Sequence, residues 1–217
     1  MKDFSIVIRK RIFKLLTYFA NPRKVKFLLC LMNDGYLFER GWLQAQLNNQ
    51  VIDKKKKPIP WISYPALDFL KQCLPADVYI FEYGCGFSTV FYAKNYKNVT
   101  AVENNSEWFK KITSLTKEFK NCNVLFQENL TEYINAIENS GRLFDLIVVD
   151  GASRNECLEK SLNFLSPGGL LVLDDADRPE YREVIELVKS KGFLSIPFIG
   201  MSALSYEHHN TTIFFKR

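Results

Sequence analysis

From residue 78 onward the chain repeats one cycle: a short apolar run, an acid or amide that closes it, and a stretch with helical spacing. The apolar runs are 78–81, 99–102, 124–126, 146–149 and 169–173, and helical patterns fall at about 64–74, 87–95, 106–118, 130–139, 153–165 and 178–190. Near-continuous apolar runs of this length suit strands buried on both faces, and their alternation with helices predicts an α/β fold built on a mainly parallel sheet. Two further runs, about 193–199 and 211–216, have no helix between them. They are expected to pair antiparallel and close one edge, giving a seven-stranded, mostly parallel sheet with helices on both faces.

In an open parallel sheet, ligands bind beyond the carboxyl ends of the strands. The residue that ends each strand is therefore informative. The first run passes into Glu82-Tyr83-Gly84-Cys85-Gly86, the second ends at Glu103 and the third at Gln127-Glu128-Asn129. The fourth ends at Asp150-Gly151 and the fifth at Asp174-Asp175-Ala176-Asp177. One acid after one strand means little, but five polar ends at one edge predict a site. Gly84-x-Gly86 alone is a tight strand-to-helix turn. A dinucleotide fingerprint would continue to a third glycine, where this chain has Thr89, and Glu82 would repel a pyrophosphate. The pattern suits a cationic ligand without phosphates and points away from NAD.

The runs EYGCGFSTVFYA, VTAVENNSEW, FDLIVVDG and LSPGGLLVLDD resemble, in order and spacing, the successive motifs of class I S-adenosylmethionine-dependent methyltransferases, over about residues 64–217. The resemblance implies a Rossmann-like fold and S-adenosylmethionine as cofactor. It implies that Glu82, Gly84 and Gly86 contact the methionine part, with Ser88 or Thr89 near its carboxylate. Glu103 would hold the ribose hydroxyls, and Glu128 or Asn129 would meet the adenine.

Methyl transfer from a sulfonium is a direct displacement, so alignment of the acceptor matters most, and a hydroxyl acceptor needs help to lose its proton. Asp150 is the candidate catalytic residue: a base, a metal ligand or a helix cap. With Asp174 and Asp175 it is similar to the acidic divalent-metal site of catechol-type O-methyltransferases, although that family usually has Asn where Asp175 stands. His208 and His209, before the last strand, are read as solvated loop residues, with a base role open to one of them.

Charge divides the chain. Residues 1–60 carry 13 Lys and Arg against 4 Asp and Glu, a net of +9, while the remaining 157 residues carry 16 against 20, a net of −4. This predicts a basic leader over 1–60 and a methyltransferase domain over 61–217. In the leader, Ile8, Ile12, Leu15, Leu16 and Phe19 share one helical face, Asn21-Pro22 breaks that helix, and a second is expected from Arg23 to about Met32. The first helix can cover the core, dimerise or lie on an anionic membrane. Lys54, Lys55, Lys56 and Lys57 read as a solvated loop. The segment from Gly35 to Leu70 resembles the leader of methyltransferase-like proteins from bacterial surface-polysaccharide gene clusters. Tyr36, Phe38, Trp42, Trp61 and Tyr64 are candidates for an aromatic lid suited to sugar faces, or for simple packing.

The expected function is O-methylation of a sugar, glycan or other small hydroxylated acceptor. The alternatives are a nucleic-acid methyltransferase and a cofactor-binding scaffold without catalysis. The first is disfavoured by Asp150-Gly151-Ala152-Ser153 standing where amino-methylating DNA enzymes carry an Asp/Asn-Pro-Pro-aromatic run. Five dispersed Cys without a CxxC fit a reducing compartment, and no apolar run approaches the roughly 20 residues that span a bilayer. A cytoplasmic protein is expected, with peripheral contact at the inner membrane face through the N-terminal helix.

Overall fold

A computed structural model describes residues 20–216; the stripe from Ile8 to Phe19 lies outside the described residues. Seven strands form one sheet: β1 (Tyr79–Tyr83), β2 (Asn98–Glu103), β3 (Cys122–Phe126), β4 (Phe144–Val149), β5 (Leu165–Asp174), β6 (Leu194–Gly200) and β7 (His209–Phe215). Their spatial order is β3-β2-β1-β4-β5-β7-β6. Pairs among β1 to β5 are parallel, and β7 runs antiparallel to both β5 and β6. The predicted antiparallel edge is present.

Alternate residues of each strand face opposite layers, as a pleated strand requires. Ile80, Leu146, Val148, Val172 and Ile213 face one apolar cluster. Phe81, Tyr83, Ile147, Val149, Leu171, Leu173 and Phe214 face the other. The first layer is covered by α4 (Tyr64–Cys73) and α5 (Phe87–Asn95), and the second by α7 (Leu130–Asn135), α8 (Arg154–Ser161) and α9 (Arg182–Ser190). Helix α6 (Ser106–Thr116) packs Ile112 against Ala101 and Cys85.

Two element boundaries differ from the sequence reading. The helix expected over 153–165 stops at Ser161, and β5 begins at Leu165 instead of residue 169. Phe144 pairs with Leu165 and Leu146 with Leu170, so Ser166-Pro167-Gly168-Gly169 is a bulge within the strand and not a turn before it.

Among the described residues the leader holds three helices: α1 (Pro22–Asn33), α2 (Tyr36–Arg40) and α3 (Trp42–Asn48). Asn21 caps α1 through Oδ1, which accepts from the backbone N–H groups of Arg23 and Lys24. From Ala45 onward the segment joins the first core layer, where Ala45, Val51, Ile52 and Ile59 are buried beside Ile80 and Val148. Arg40 pairs with Asp68 of α4, Trp42 Nε1 donates to Ser205 O at 2.9 Å, and Trp61 Nε1 donates to Ser202 Oγ at 3.2 Å. The first two tie the leader to α4 and to the loop between β6 and β7, and the third ties residue 61 to that same loop.

The turn after β1 depends on one close approach. Gly84 has φ +88, and a Cβ on it would meet Gly151 Cα at 2.8 Å and Gly151 N at 3.0 Å. The backbones leaving β1 and β4 therefore touch, with no room for a side chain. Gly84→Ala is expected to cost about 2–4 kcal/mol, from left-handed strain plus displacement of residues 150–151. A urea unfolding midpoint unchanged from wild type would refute this.

Candidate functional site: a cleft at the carboxyl edge of the sheet

The strand order reverses between β1 and β4, and there the two connections diverge to opposite faces. The crevice that results is where open α/β sheets bind ligands. Here it is a cleft of about 870 Å³, within the usual range of small-molecule sites. One wall is the turn Gly84 to Ser88 with Trp108 and Lys111 of α6; the floor holds Asp150, Arg154, Asp174, Asp175 and His209. The opposite wall comes from Asn49, Gln50, Val51, Trp61, Leu204 and Ser205.

The expected cofactor residues divide into two sets. Gly84, Gly86 and Ser88 line the cleft. Around Gly86 the space is open: an added Cβ would meet only Ser88 Oγ at 3.3 Å and Ser88 N at 3.9 Å. That is a cradle a side chain would fill, and it fits the close passage of a ligand along the turn. Glu82, Glu103, Glu128 and Asn129 stand outside the lining.

Glu82 is 1% exposed and lies behind the turn. Gly86 N–H donates to Thr89 Oγ1 at 2.8 Å, and Thr89 Oγ1 donates to Glu82 Oε2 at 2.5 Å. Burial pushes the Glu82 carboxyl up to about 7, against hydrogen bonds from Ser88 and Thr89 and helped by the charge of Glu103. Glu103 is 6% exposed; its Oε1 accepts from Asn104 N and Asn105 N, and its Oε2 accepts from Cys85 N at 3.1 Å. It thus ties the end of β2 to the glycine turn. Asn129 caps α7 by accepting from Thr131 N at 2.8 Å, and both it and Glu128 are exposed.

The floor is organised by Arg154, which the sequence reading passed over. Its side chain is 12% exposed. Nη2 donates to Asp150 Oδ1 at 2.9 Å, Nη1 to Asp174 O at 2.7 Å and to Asp175 Oδ2 at 3.3 Å, and Nε to Gly151 O at 3.1 Å. One guanidinium therefore bridges the ends of β4 and β5. Asp150 keeps 28% of its side-chain surface open. Its carboxyl is nonetheless held well above the usual range, by desolvation and then by the charge of Asp174, with Arg154 pulling the other way.

His209 is not a solvated loop residue. It opens β7, and its Nε2 lies 3.0 and 2.9 Å from the two carboxylate oxygens of Asp174. Thr211 Oγ1 also donates to Asp174 Oδ1, at 2.6 Å. Burial alone would lower the imidazole pKa; the hydrogen bond to Asp174 and the charges of Asp174, Asp175 and Asp177 outweigh it and raise the value.

The expected metal trio of Asp150, Asp174 and Asp175 is not assembled. Among the described residues, ligand atoms converge within 4.8 Å for Asp174, Asp175 and His209 instead, while Asp150 is drawn to Arg154. Asp175 pairs with Arg154 and Arg178, and Asp174 with His209. A divalent ion takes an open cage of oxygen ligands, whereas these carboxylates already face protein cations. To hold an ion, Asp174, Asp175 and His209 would have to give up these pairs. Of the aromatic lid, only Trp61 reaches the cleft; Tyr64 is buried in the core, and Tyr36 lies beside the Arg40 guanidinium, 4.8 Å from ring centroid to Cζ.

No protein-family model and no curated protein matches the chain. Solved structures do. A precorrin-6y C5,15-methyltransferase from Geobacter metallireducens GS-15 superposes with a TM-score of 0.57 at 16% identity, covering 70% of this chain and 86% of that one. A Streptococcus mutans protein titled as a methyltransferase and solved with SAH gives 0.55 at 17%, covering 70% and 98%. An rRNA methylase from Streptococcus thermophilus gives 0.54 at 20%, covering 72% and 99%. The fold is that of the class I methyltransferases. Nothing in these likenesses bears out the expected kinship with surface-polysaccharide gene clusters.

Two pH-dependent outcomes follow from the buried groups. A carboxyl raised in the fold favours folding when protonated, so its contribution is full below its unfolded value and is lost as pH rises through about 7. Glu82→Gln is therefore expected to match wild type most closely below pH 4.5 and to gain relative stability up to about pH 7. Melting curves across that range test it, and a constant difference would refute it. For His209, Asp174→Asn should lower the imidazole pKa in an NMR titration, and no change would break the assigned pair.

Proposed function

We propose that this chain is an S-adenosylmethionine-dependent methyltransferase acting on a hydroxyl of a small, sugar-like acceptor. The observation that carries the reading is the cleft at the reversal of strand order. One wall is an open glycine turn and the floor is a set of oriented acids. When bound, the cofactor supplies an electrophilic methyl group. In this reading the Gly84–Ser88 turn holds its amino-acid end, with Glu82 behind as the buried acid. Glu103 reaches the ribose by exchanging backbone partners, and Glu128 or Asn129 lies on the adenine side.

The far wall suits a hydroxylated acceptor, since Asn49, Gln50 and Ser205 offer amide and hydroxyl groups beside the Trp61 ring. Asp150 takes the acceptor's proton. A carboxylate whose pKa stands above the ordinary range takes up a proton more readily, and Arg154 fixes its direction. His209 is already engaged, with Nε2 held against both carboxylate oxygens of Asp174. The acids of the floor disfavour a phosphate-rich acceptor, which weighs against nucleic acid.

Titration calorimetry is expected to show micromolar binding of S-adenosylmethionine and of its demethylated product, about −8 kcal/mol. NADH should not compete. Glu103→Gln should weaken binding roughly tenfold to a hundredfold, with a melt confirming that the turn still folds. Asp150→Asn should leave cofactor affinity within a few-fold while methyl transfer to a hydroxylated acceptor falls about 100-fold. Full cofactor affinity in the Glu103 variant would remove the ribose assignment.

A further inference from the structure

Helix α1 carries an apolar surface that is exposed among the described residues. Its sequence, PRKVKFLLCLMN, contains no acid, and Phe27, Leu29 and Leu31 are 71%, 52% and 47% exposed. At 3.6 residues per turn, Leu29 lies about 200° around the helix from Phe27, and Leu31 about 40° from it. Phe27 and Leu31 therefore share one face, and Leu29 projects from nearly the opposite side.

Bases flank this surface. Arg23 and Lys26 are exposed on α1 itself. Beyond the C-terminal end of α1, Asn33 shares a groove with Phe38, Lys54 and Lys55. Lys54 to Lys57 are all exposed, on a tight loop closed by the bridge between Ile52 and Pro58. Asp53 turns inward there, accepting from the N–H groups of Lys55 and Lys57, so it shapes the loop. Of the four acids in residues 1–60, Glu39 pairs with Lys54. No helix of the described residues is long and apolar enough to cross a membrane. Twelve residues with apolar sides and a basic border suit the headgroup boundary instead.

We propose that α1 and the Lys54–Lys57 loop form a docking surface for an anionic lipid bilayer. The positive charge of residues 1–60 complements anionic headgroups, and Phe27 and Leu31, which share a face, enter the outer acyl region. The cleft takes no part in this contact.

The test is co-sedimentation of the full chain with vesicles of phosphatidylglycerol or of phosphatidylcholine, at low and high salt. Partitioning to phosphatidylglycerol is expected to exceed that to phosphatidylcholine about tenfold or more and to fall with salt. Phe27→Ser with Leu31→Ser, and separately Lys55→Gln with Lys57→Gln, should each lower it several-fold. All four residues are exposed, so the melting temperature should hold. Absence of binding, equal binding to both lipids, or full binding by the Phe27 and Leu31 double variant would overturn the proposal. So would a dimer in light scattering that dissociates in that variant and does not bind vesicles. Cofactor affinity measured in parallel separates this outcome from any failure of the methyltransferase reading.

Discussion

Neighbouring parallel strands deliver their last residues to the same edge, and in this protein those residues are acids. Asp150 ends one strand, and Asp174 and Asp175 end the next, so the fold concentrates like charge where the cleft must be. Arg154 makes that arrangement tenable. It meets two carboxylates and three backbone carbonyls from a single helix start. Burying ions is costly unless geometry and hydrogen bonding are both satisfied, and here each bond also orients the floor. Removal of the guanidinium would leave Asp150 facing Asp174 without a counter-charge.

A second constraint runs through the glycine turn. Thr89 occupies the place of a dinucleotide motif's third glycine, and its hydroxyl links Gly86 N–H to Glu82. Two departures from that motif are thus one hydrogen-bonded unit. Glu103 reaches the same turn from the next strand through Cys85 N. The turn is held from behind by two buried acids, which leaves its front open.

Strand ends were legible in the sequence because period acts locally: an apolar run is broken by a polar residue, whether that residue reaches the cleft or stays buried on partners of its own. Glu82, Glu103, Asp150 and Asp174 all fall at such stops. Contacts that join distant segments were not legible. His209 looked like a loop residue because its partner, Asp174, is 35 positions away. Arg154 looked like an ordinary first-turn residue of a helix. Nothing in the sequence singled out Asn49 and Gln50, yet the burial of Val51 and Ile52 behind them turns them into a wall. Ser166-Pro167-Gly168 read as a turn because its composition is that of one. Pairing of Phe144 with Leu165 overrides it.

The strand that follows all the others in sequence does not lie at the margin of the sheet. Strand β7 sits between β5 and β6. It supplies His209 and Thr211 to Asp174, and both neighbours need it for their backbone partners. During synthesis, β6 leaves the ribosome with no strand to join, and Asp174 lacks two of its partners. Both are completed only when residues 209–215 emerge. Chains arrested before residue 209 would carry a nearly whole sheet with an unpaired strand exposed, the kind of species that aggregates or engages chaperones.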